Sequence, residues 1–194
     1  MKWRLFVAYL IAWLCGTAEA GVIVNIYEDG GNVVCTWNGS LSTVGATVKR
    51  TSGGFACFIR PSGMDIRLRS VGGNNNWYYA VSPGDLGDSG QMTWFTTTSG
   101  STTFALSDGE IALASDYVSG STISGQSVIE NKTIADVGLK PGTHTWTMSG
   151  SGDTVQVQVV PEPSTAIVLG LGSAFMLWAL RRFVLAVRGT KTGA

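Results

Sequence analysis

The sequence predicts an all-β domain, an antiparallel β-sandwich or jelly roll, between an N-terminal signal peptide and a C-terminal transmembrane helix. Three observations predict this arrangement. Residues 21–160 are rich in Gly, Ser and Thr and contain no long stretch with helical period. Short β-branched and aromatic runs alternate there with glycine-rich turns. An apolar run also lies near each end of the 194-residue chain.

Residues 1–20 have the order of a secretory signal peptide. A positively charged start precedes an apolar run over residues 5–15. Ala18 and Ala20 then place small residues at the two positions that a signal peptidase requires. Cleavage is expected before Gly21, after the export translocon has accepted the chain. The alternative is a retained membrane anchor.

The segment 21–159 is long enough for one domain with a core of its own. Runs at 22–27 and 33–37 flank the turn Asp-Gly-Gly-Asn, which predicts a β-hairpin. The stretch 64–69 alternates strictly, with its apolar residues expected inward and its charged residues outward. Further strands are predicted at 55–59, 77–81, 92–97, 102–106, 110–114, 144–148 and 154–159.

One short helical turn is predicted near the C-terminal end of the domain. Thr133 and Asp136 have the spacing of a capping box, in which each side chain accepts a hydrogen bond from the other residue's backbone N–H. Gly138 follows shortly after. We therefore expect a single turn of helix that begins after Thr133 and ends before Gly138.

Removal of the signal peptide leaves two cysteines, Cys35 and Cys57, each inside an apolar run. An oxidising compartment would allow a disulfide between neighbouring strands, with a stabilisation of about 3 kcal/mol from loop closure. The sequence predicts this bridge as a structural staple. Two free buried thiols are the alternative.

The sequence contains no constellation that indicates catalysis or a cofactor. Gly87-Asp88-Ser89-Gly90 has the residues that surround a protease nucleophile, but a nucleophilic serine needs a general base within hydrogen-bond reach. The only histidine, His144, alternates with buried-type residues on a strand. We interpret the stretch 83–90 as a turn-rich loop and predict neither an enzyme nor a cofactor. One histidine and the absence of a CxxC pair also argue against zinc.

The net charge of the domain argues against nucleic acid as a partner. Residues 21–160 hold seven Lys or Arg and eleven Asp or Glu, a net charge of −4. A nucleic-acid-binding domain would be expected to be basic. The remaining polar candidates, such as the acidic residues near 28–32 and 85–88, are explained by turn chemistry, with calcium binding as the alternative.

Aromatic residues are numerous for a domain of this size, and they offer a binding hypothesis. Adjacent aromatic residues on a strand point to opposite faces of the sheet, so some rings are expected to be exposed. Exposed rings stack well on sugars, although packing between two sheets is the commoner fate of such residues. The candidates for sugar stacking are Trp77, Tyr78, Tyr79 and Trp94.

The C-terminal apolar run predicts a transmembrane helix at about 164–180. Its 15 uncharged residues from 166 to 180 span about 22 Å, and the flanking residues complete the crossing. Arg181 and Arg182 follow directly as a basic stop, so the tail 189–194 is expected in the cytoplasm. A buried globular helix is disfavoured because the run has no polar face.

The tripeptide Pro161-Glu162-Pro163 precedes this apolar run and its two arginines. This order, over residues 160–188, resembles the PEP-CTERM sorting signal of Gram-negative bacteria. The resemblance implies export, transient lodging in the inner membrane and processing by an exosortase. It also implies delivery to the cell surface or to an extracellular matrix rich in exopolysaccharide.

A second resemblance concerns the folded part alone. Tyr117-Val118-Ser119-Gly120, a later Ser124-Gly125 and the stretch Leu139-Lys140-Pro141-Gly142-Thr143 with Trp146 are similar to a pattern of many PEP-CTERM surface proteins of unassigned function. The resemblance carries no catalytic residues. Taken together, the sequence predicts a non-catalytic surface or matrix protein, with a carbohydrate-binding module for exopolysaccharide as the alternative.

Overall fold

The computed structural model describes residues 21–161, which are mostly β-structure. Within them lie thirteen strands, one 3₁₀ turn (Pro61–Gly63) and one short helix, α1 (Ile134–Val137). The strands are β1 (Gly21–Asp29), β2 (Asn32–Ser40), β3 (Val48–Ser52), β4 (Phe58–Arg60), β5 (Asp65–Arg69), β6 (Asn75–Val81), β7 (Thr93–Trp94), β8 (Thr97–Gly100), β9 (Phe104–Ser107), β10 (Glu110–Ala114), β11 (Thr122–Ile129), β12 (Gly142–Met148) and β13 (Thr154–Val160).

These strands form one curled sheet in the order β7-β4-β5-β9-β10-β6-β12-β13-β1-β2-β11-β8, with β3 paired to β6. The two strands at the ends of this order, β7 and β8, are consecutive in the chain and are separated by Phe95 and Thr96. Phe95 N–H donates to the carbonyl of Cys57 at 3.2 Å, and Thr96 N–H donates to the carbonyl of Val128 at 2.7 Å. The segment β7–β8 therefore connects the two edges of the curled sheet.

The sequence predicted a purely antiparallel sheet, and this prediction was wrong at one strand pair. Strands β1 and β13 pair in parallel, from Gly21↔Thr154 to Tyr27↔Val160. The reason is that the hairpins β1–β2 and β12–β13 lie side by side, and the whole domain serves as the connection that parallel strands require. Gly21 and Val160 consequently lie at opposite ends of this strand pair. At about 3.3 Å per residue, that separation is roughly 20 Å.

The predicted hairpin β1–β2 is confirmed. Its strands pair from Val22↔Gly39 to Asp29↔Asn32, and the two turn residues, Gly30 and Gly31, have φ of 57° and 79°. Two successive positive φ angles give the turn the twist of the flanking strands, which is why a Gly-Gly pair suits this position.

One hydrophobic core lies inside the curled sheet and takes residues from both of its halves. The largest side chains that are fully buried there include Trp146, whose indole N–H donates to the carbonyl of Ser107 at 2.9 Å. Ser127 Oγ donates to the carbonyl of Leu68 at 2.9 Å, which joins β11 to β5 across the interior. The core and these bonds hold the two halves of the sheet together.

Most predicted strands are confirmed within one to three residues at their ends, and two strands were missed. Strand β3 is exposed along most of its length and carries Lys49 and Arg50, so it shows no apolar face. Strand β11 is rich in Ser and Gly. The predicted strand at 92–97 is instead divided between β7 and β8, because the chain changes partner there.

The capping box at α1 is confirmed: Thr133 Oγ1 accepts from Asp136 N–H at 3.1 Å, and Asp136 Oδ2 accepts from Thr133 N–H at 2.9 Å. Gly138 ends the turn with φ of 77°. Glu28 Oε1 of β1 also accepts from the N–H of Ile134 at 2.6 Å. The turn is thus tied to the first strand of the sheet.

The Tyr117-x-Ser-Gly sequence has a structural role in this fold. The hydroxyl of Tyr117 donates to the carbonyl of Ser121 at 2.7 Å and lies within hydrogen-bond distance of both backbone groups of Leu41. Gly120 N–H donates to the Leu41 carbonyl at 2.9 Å, and Ser119 Oγ accepts from Thr43 N–H at 2.9 Å. The motif therefore fastens the loop after β2 to the segment before β11.

Candidate functional site

The outer face of the half-sheet β7-β4-β5-β9-β10-β6-β3 carries a row of side chains in consecutive cross-strand register. Outer here means the face opposite the core. Each member of the row is paired with the next across one strand boundary. In order they are Trp94, Phe58, Arg67, Ala105, Ala112, Trp77 and Arg50.

Trp77 is almost completely buried although it lies on this outer face. The two small residues beside it, Ala105 and Ala112, leave room for the indole, and the three form a second hydrophobic cluster with Phe55. The Arg50 guanidinium covers the ring at 4.1 Å from its centroid, and the indole N–H donates to Ser52 Oγ at 2.8 Å. A large aromatic residue is thereby buried on the solvent side of the sheet.

A buried carboxylate organises the neighbouring arginines, although the charged residues of β5 point away from the core as predicted. Asp65 is 1% exposed. It accepts hydrogen bonds from Arg60 Nη2 and from Ser107 Oγ, and its Oδ1 lies 3.7 Å from Arg67 Nη2. A buried charge needs such partners, because burial without them would cost several kcal/mol. Asp65 is therefore outward-pointing but covered by the two arginines.

We call this surface the Arg–Trp face and define it by Lys49, Arg50, Arg60, Arg67, Trp77 and Trp94. Four of the domain's seven basic residues lie on it, together with the acidic residues Asp65 and Glu110, which gives the face a net charge of +2. The rest of the segment 21–160 then carries −6. Charge is segregated on this domain.

The four sugar-stacking candidates separate into two pairs. Trp77 and Tyr78 are buried, Trp77 on the outer face and Tyr78 in the core, so neither can stack on a ligand. Tyr79 and Trp94 are 43% and 55% exposed. Lys49 Nζ lies 5.4 Å from the Tyr79 centroid, whereas Trp94 contacts Phe58 through an edge-on arrangement at 5.3 Å. Trp94 therefore offers the more accessible ring.

The segment predicted to direct sorting begins where the sheet ends. Strand β13 runs to Val160 with Val159 buried, and Pro161 follows it in an exposed position. Proline has no N–H to donate to a neighbouring strand, so it suits the end of the pairing. The other residues predicted to belong to this signal lie outside the described residues; they are Glu162, Pro163, Arg181 and Arg182.

Residues 159–182 match the family model described as the PEP-CTERM protein-sorting motif. The chain carries a PEP-CTERM sorting motif. The match includes both the tripeptide Pro161-Glu162-Pro163 and the paired arginines Arg181 and Arg182. The PEP-CTERM motif marks the chain as an exported protein that passes through the membrane to the cell surface, and it is the signal that exosortase recognises. Searches of curated proteins and of solved structures found no match.

Two predictions that accompany the PEP-CTERM motif concern residues outside the described range. The helix expected at about 164–180 is one of them, and the signal peptide at 1–20, with Ala18 and Ala20 before its cleavage site, is the other. Within residues 21–161, no helix is long and apolar enough to span a membrane. Gly21, expected after the cleavage site, is the first residue of β1.

The Gly87-Asp88-Ser89-Gly90 stretch lies in a loop that packs tightly against the end of α1. A Cβ atom at Gly87 would lie 2.0 Å from the carbonyl oxygen of Gly138, and one at Gly138 would lie 2.4 Å from Ser89 Cβ. Ser89 Oγ accepts from Gln91 N–H at 3.3 Å. His144, the histidine considered as a general base for Ser89, has its Nε2 atom 2.8 Å from the carbonyl oxygen of Lys140. Gly87 and Gly138 therefore allow this loop and the end of α1 to pack closely.

The disulfide predicted between Cys35 and Cys57 is absent from the structure, where both cysteines are free. Cys35 is fully buried in the core, between Ile26 of β1 and Ser127 of β11. Cys57 is half-buried just before β4, on the other half of the sheet. Burial raises the pKa of both thiols, which lowers the fraction present as reactive thiolate.

Glu110 is the second acidic residue of the Arg–Trp face, and its ion pairs make a contribution to stability that depends on pH. Its carboxylate lies 2.6 Å from Arg50 Nη2 and 3.0 Å from Lys49 Nζ. The hydrogen bond from Arg50, followed by that from Lys49, holds the pKa of Glu110 below its usual value despite partial burial. Stabilisation from a carboxylate with a lowered pKa is complete above the ordinary pKa and is lost as pH falls through the lowered one.

We expect Glu110→Gln to destabilise the folded unit by about 1 kcal/mol at pH 7, since both cations are partly exposed and screened by water. The difference from the unsubstituted protein should begin to shrink near the ordinary pKa of a glutamate, about 4.3, and should be lost as the pH falls through the lowered pKa of Glu110, where the native carboxylate becomes protonated. Urea denaturation at pH 7 and pH 3 measures both effects. Glu130→Gln, at an exposed position, is the control. An equal cost of Glu110→Gln at the two pH values would contradict the ion-pair explanation.

Proposed function

We propose that this chain is a non-catalytic protein of the cell surface or extracellular matrix, which an exosortase sorts and processes through its C-terminal signal. The match at residues 159–182 carries this proposal. Signal peptidase and the export translocon would act first, and the apolar segment at about 164–180 would then hold the chain in the inner membrane until processing.

The position of the tripeptide supports processing outside the folded unit. The compact N-terminal unit ends at Pro161, directly after β13. A proline lacks the N–H that helices and sheets require, and it disfavours helical backbone in the residue before it. A membrane protease could therefore reach this stretch without unfolding the sheet. In this proposal the curled sheet, a sandwich-like module with one core, is the part that is delivered.

Replacement of Pro161, Glu162 and Pro163 by alanine is expected to abolish surface delivery and to leave the protein in the inner-membrane fraction. The reason is that the processing enzyme would no longer recognise the altered tripeptide, whereas the apolar segment that holds the chain in the membrane would be unchanged. Fractionation of the native host followed by immunoblotting measures the distribution. Pro141→Ala, a proline change in the folded unit, is the control. Unchanged delivery of the triple variant would refute the sorting proposal.

A second candidate function is carbohydrate binding, and the exposure of Trp94 favours it. More than half of this residue is accessible, although its neighbour Phe58 is buried beside it. An exposed indole on the outer face of a sheet can pack against the apolar face of a sugar ring. A matrix protein would meet exopolysaccharide at its destination. This candidate can hold together with the sorting proposal, because the two involve different parts of the chain.

A further inference from the structure

Arg67 has hydrogen-bonding capacity that the protein leaves unused. A guanidinium has five N–H donors. The nearest carboxylate oxygen, Asp65 Oδ1, is 3.7 Å from Arg67 Nη2, which is too long for a hydrogen bond, and Arg67 Nε is without a partner among residues 21–161. Asp65 is already engaged by Arg60 and Ser107. The terminal nitrogens of Arg67 are therefore available to an external acceptor.

The position of Arg67 is set by aromatic rings instead of by hydrogen bonds. Its guanidinium carbon lies 4.8 Å from the centroid of Phe58, 5.6 Å from that of Trp77 and 5.7 Å from that of Phe55. Three rings around one cation restrict its movement, so little entropy would be lost when a ligand binds. The side chain remains 26% exposed. Arg67 is thus held in place, partly accessible and short of partners.

Trp94 lies two strands away from Arg67 in the same row, with Phe58 between them. Neighbouring strands are about 4.8 Å apart, so the two residues are separated by about 10 Å. An exposed apolar ring and a cation with unused hydrogen-bond donors at that distance can contact successive units of one extended chain. The pair would recognise an apolar ring face at one point and an anion at the next.

Charge complementarity restricts what such a chain can be. The Arg–Trp face carries +2, while the rest of the domain carries −6. A nucleic acid has a charge about every 1.7 Å of duplex axis and would meet repulsion wherever it extends beyond the face. A polymer with one charge on each sugar, or on every few sugars, would be repelled much less. A neutral sugar would leave the donors of Arg67 without an anionic partner.

We propose that the Arg–Trp face binds a carboxylate-bearing polysaccharide. One sugar ring stacks on Trp94, and the carboxylate of a nearby sugar accepts hydrogen bonds from Arg67. A planar guanidinium is suited to this role because it can donate two parallel bonds to one carboxylate. The inference rests on the carbohydrate-binding candidate above and specifies its ligand class and its residues.

The test measures binding of the full chain, purified in non-ionic detergent, to three probes by isothermal titration calorimetry. The probes are an oligomer of alginate (a polyuronate), a neutral dextran oligomer and single-stranded DNA with the same number of charges as the alginate. The variants are Arg67→Met, which keeps the apolar stem without the donors, and Trp94→Ala. Lys132→Gln is the matched control for Arg67→Met, since it removes one exposed positive charge that is not a member of the Arg–Trp face. Trp94→Phe keeps a ring, and thermal melts check that every variant is folded.

The expected result is binding to alginate that is stronger than binding to dextran or DNA and that weakens as salt is added. Arg67→Met and Trp94→Ala should each weaken alginate binding roughly tenfold, a change of about 1.4 kcal/mol. Lys132→Gln should leave it within about a factor of two of the unsubstituted protein. Trp94→Phe should retain most of it.

Three outcomes would overturn the inference. Equal binding to dextran and alginate, dependent on Trp94 alone, would leave the carbohydrate-binding candidate standing and remove the acidic ligand class. Binding to DNA as strong as to alginate would indicate a general attraction to polyanions. Binding to neither sugar would remove both the inference and the carbohydrate-binding candidate, while the sorting proposal, tested by fractionation, would be unaffected.

Discussion

Replacement of Gly125 by alanine is expected to destabilise the folded unit by about 3 kcal/mol, the range in which an added methyl group overfills a packed interior. Gly125 pairs with Trp37 on one side and with Gly100 on the other. A Cβ atom at Gly125 would lie 2.3 Å from the carbonyl oxygen of Ser99 and 2.3 Å from Cζ2 of Trp37. Neither neighbour can move easily, because Ser99 presents backbone and Trp37 is 2% exposed.

This experiment also tests why the second Ser-Gly of the motif is present. Urea denaturation of residues 21–161 gives the free energy of unfolding from the midpoint and slope. Gly84→Ala is the matched control, since Gly84 has an ordinary backbone conformation and no neighbouring atom within 4 Å of an added Cβ. A cost for Gly125→Ala no larger than that for Gly84→Ala would show that Trp37 does not need the space above this glycine.

Trp77→Ala is expected to cost about 4 kcal/mol of stability, as is usual when a buried indole is truncated. The ring is 1% exposed, and its removal would leave a cavity over Ala105 and Ala112. Arg50 would also lose the aromatic face that it covers at 4.1 Å. The cost arises although Trp77 lies on the face of the sheet opposite the core.

The same denaturation experiment shows whether the cost of Trp77→Ala comes from the burial of the ring or only from its location on the outer face. Tyr79→Ala is the control, because Tyr79 lies two residues further along β6, points to the same face and is 43% exposed. We expect it to cost less than about 1 kcal/mol, in the range of surface substitutions. Similar costs for the two variants would mean that the packing of Arg50 and Phe55 against Trp77 contributes little to the free energy of unfolding.

Local patterns of the sequence were sufficient for the parts of the fold that depend on neighbouring residues. The first hairpin follows from two β-rich runs around a Gly-Gly turn, and its positive φ angles confirm that prediction. The capping box of α1 needs only residues three apart. The sorting motif is also a linear signal, and its match at residues 159–182 confirms the prediction made from its order of residues.

The candidate site could be predicted only in part, because it is formed by register between strands that are distant in the chain. Trp94 was identified as a candidate because adjacent aromatic residues, such as Trp94 and Phe95, point to opposite faces of a sheet, so that some rings are expected to be exposed. Arg67 was not, because nothing in its own strand shows that Phe58, Trp77 and Phe55 surround it. Cation–aromatic contacts of this kind depend on pairings across four strand boundaries.

The β-class, the first hairpin, the short helix and the sorting motif could be predicted from the sequence alone, because each depends on periodicity or spacing within a few residues. Tertiary structure, and no local pattern, placed β1 and β13 in parallel, buried Asp65 and left Cys35 and Cys57 as free thiols. It also decided that Trp77 is covered while Trp94 is exposed. The alternation of residues along a strand predicts which side chains share a face. Whether that face is buried depends on residues that are distant in the chain, and their positions cannot be predicted from local sequence.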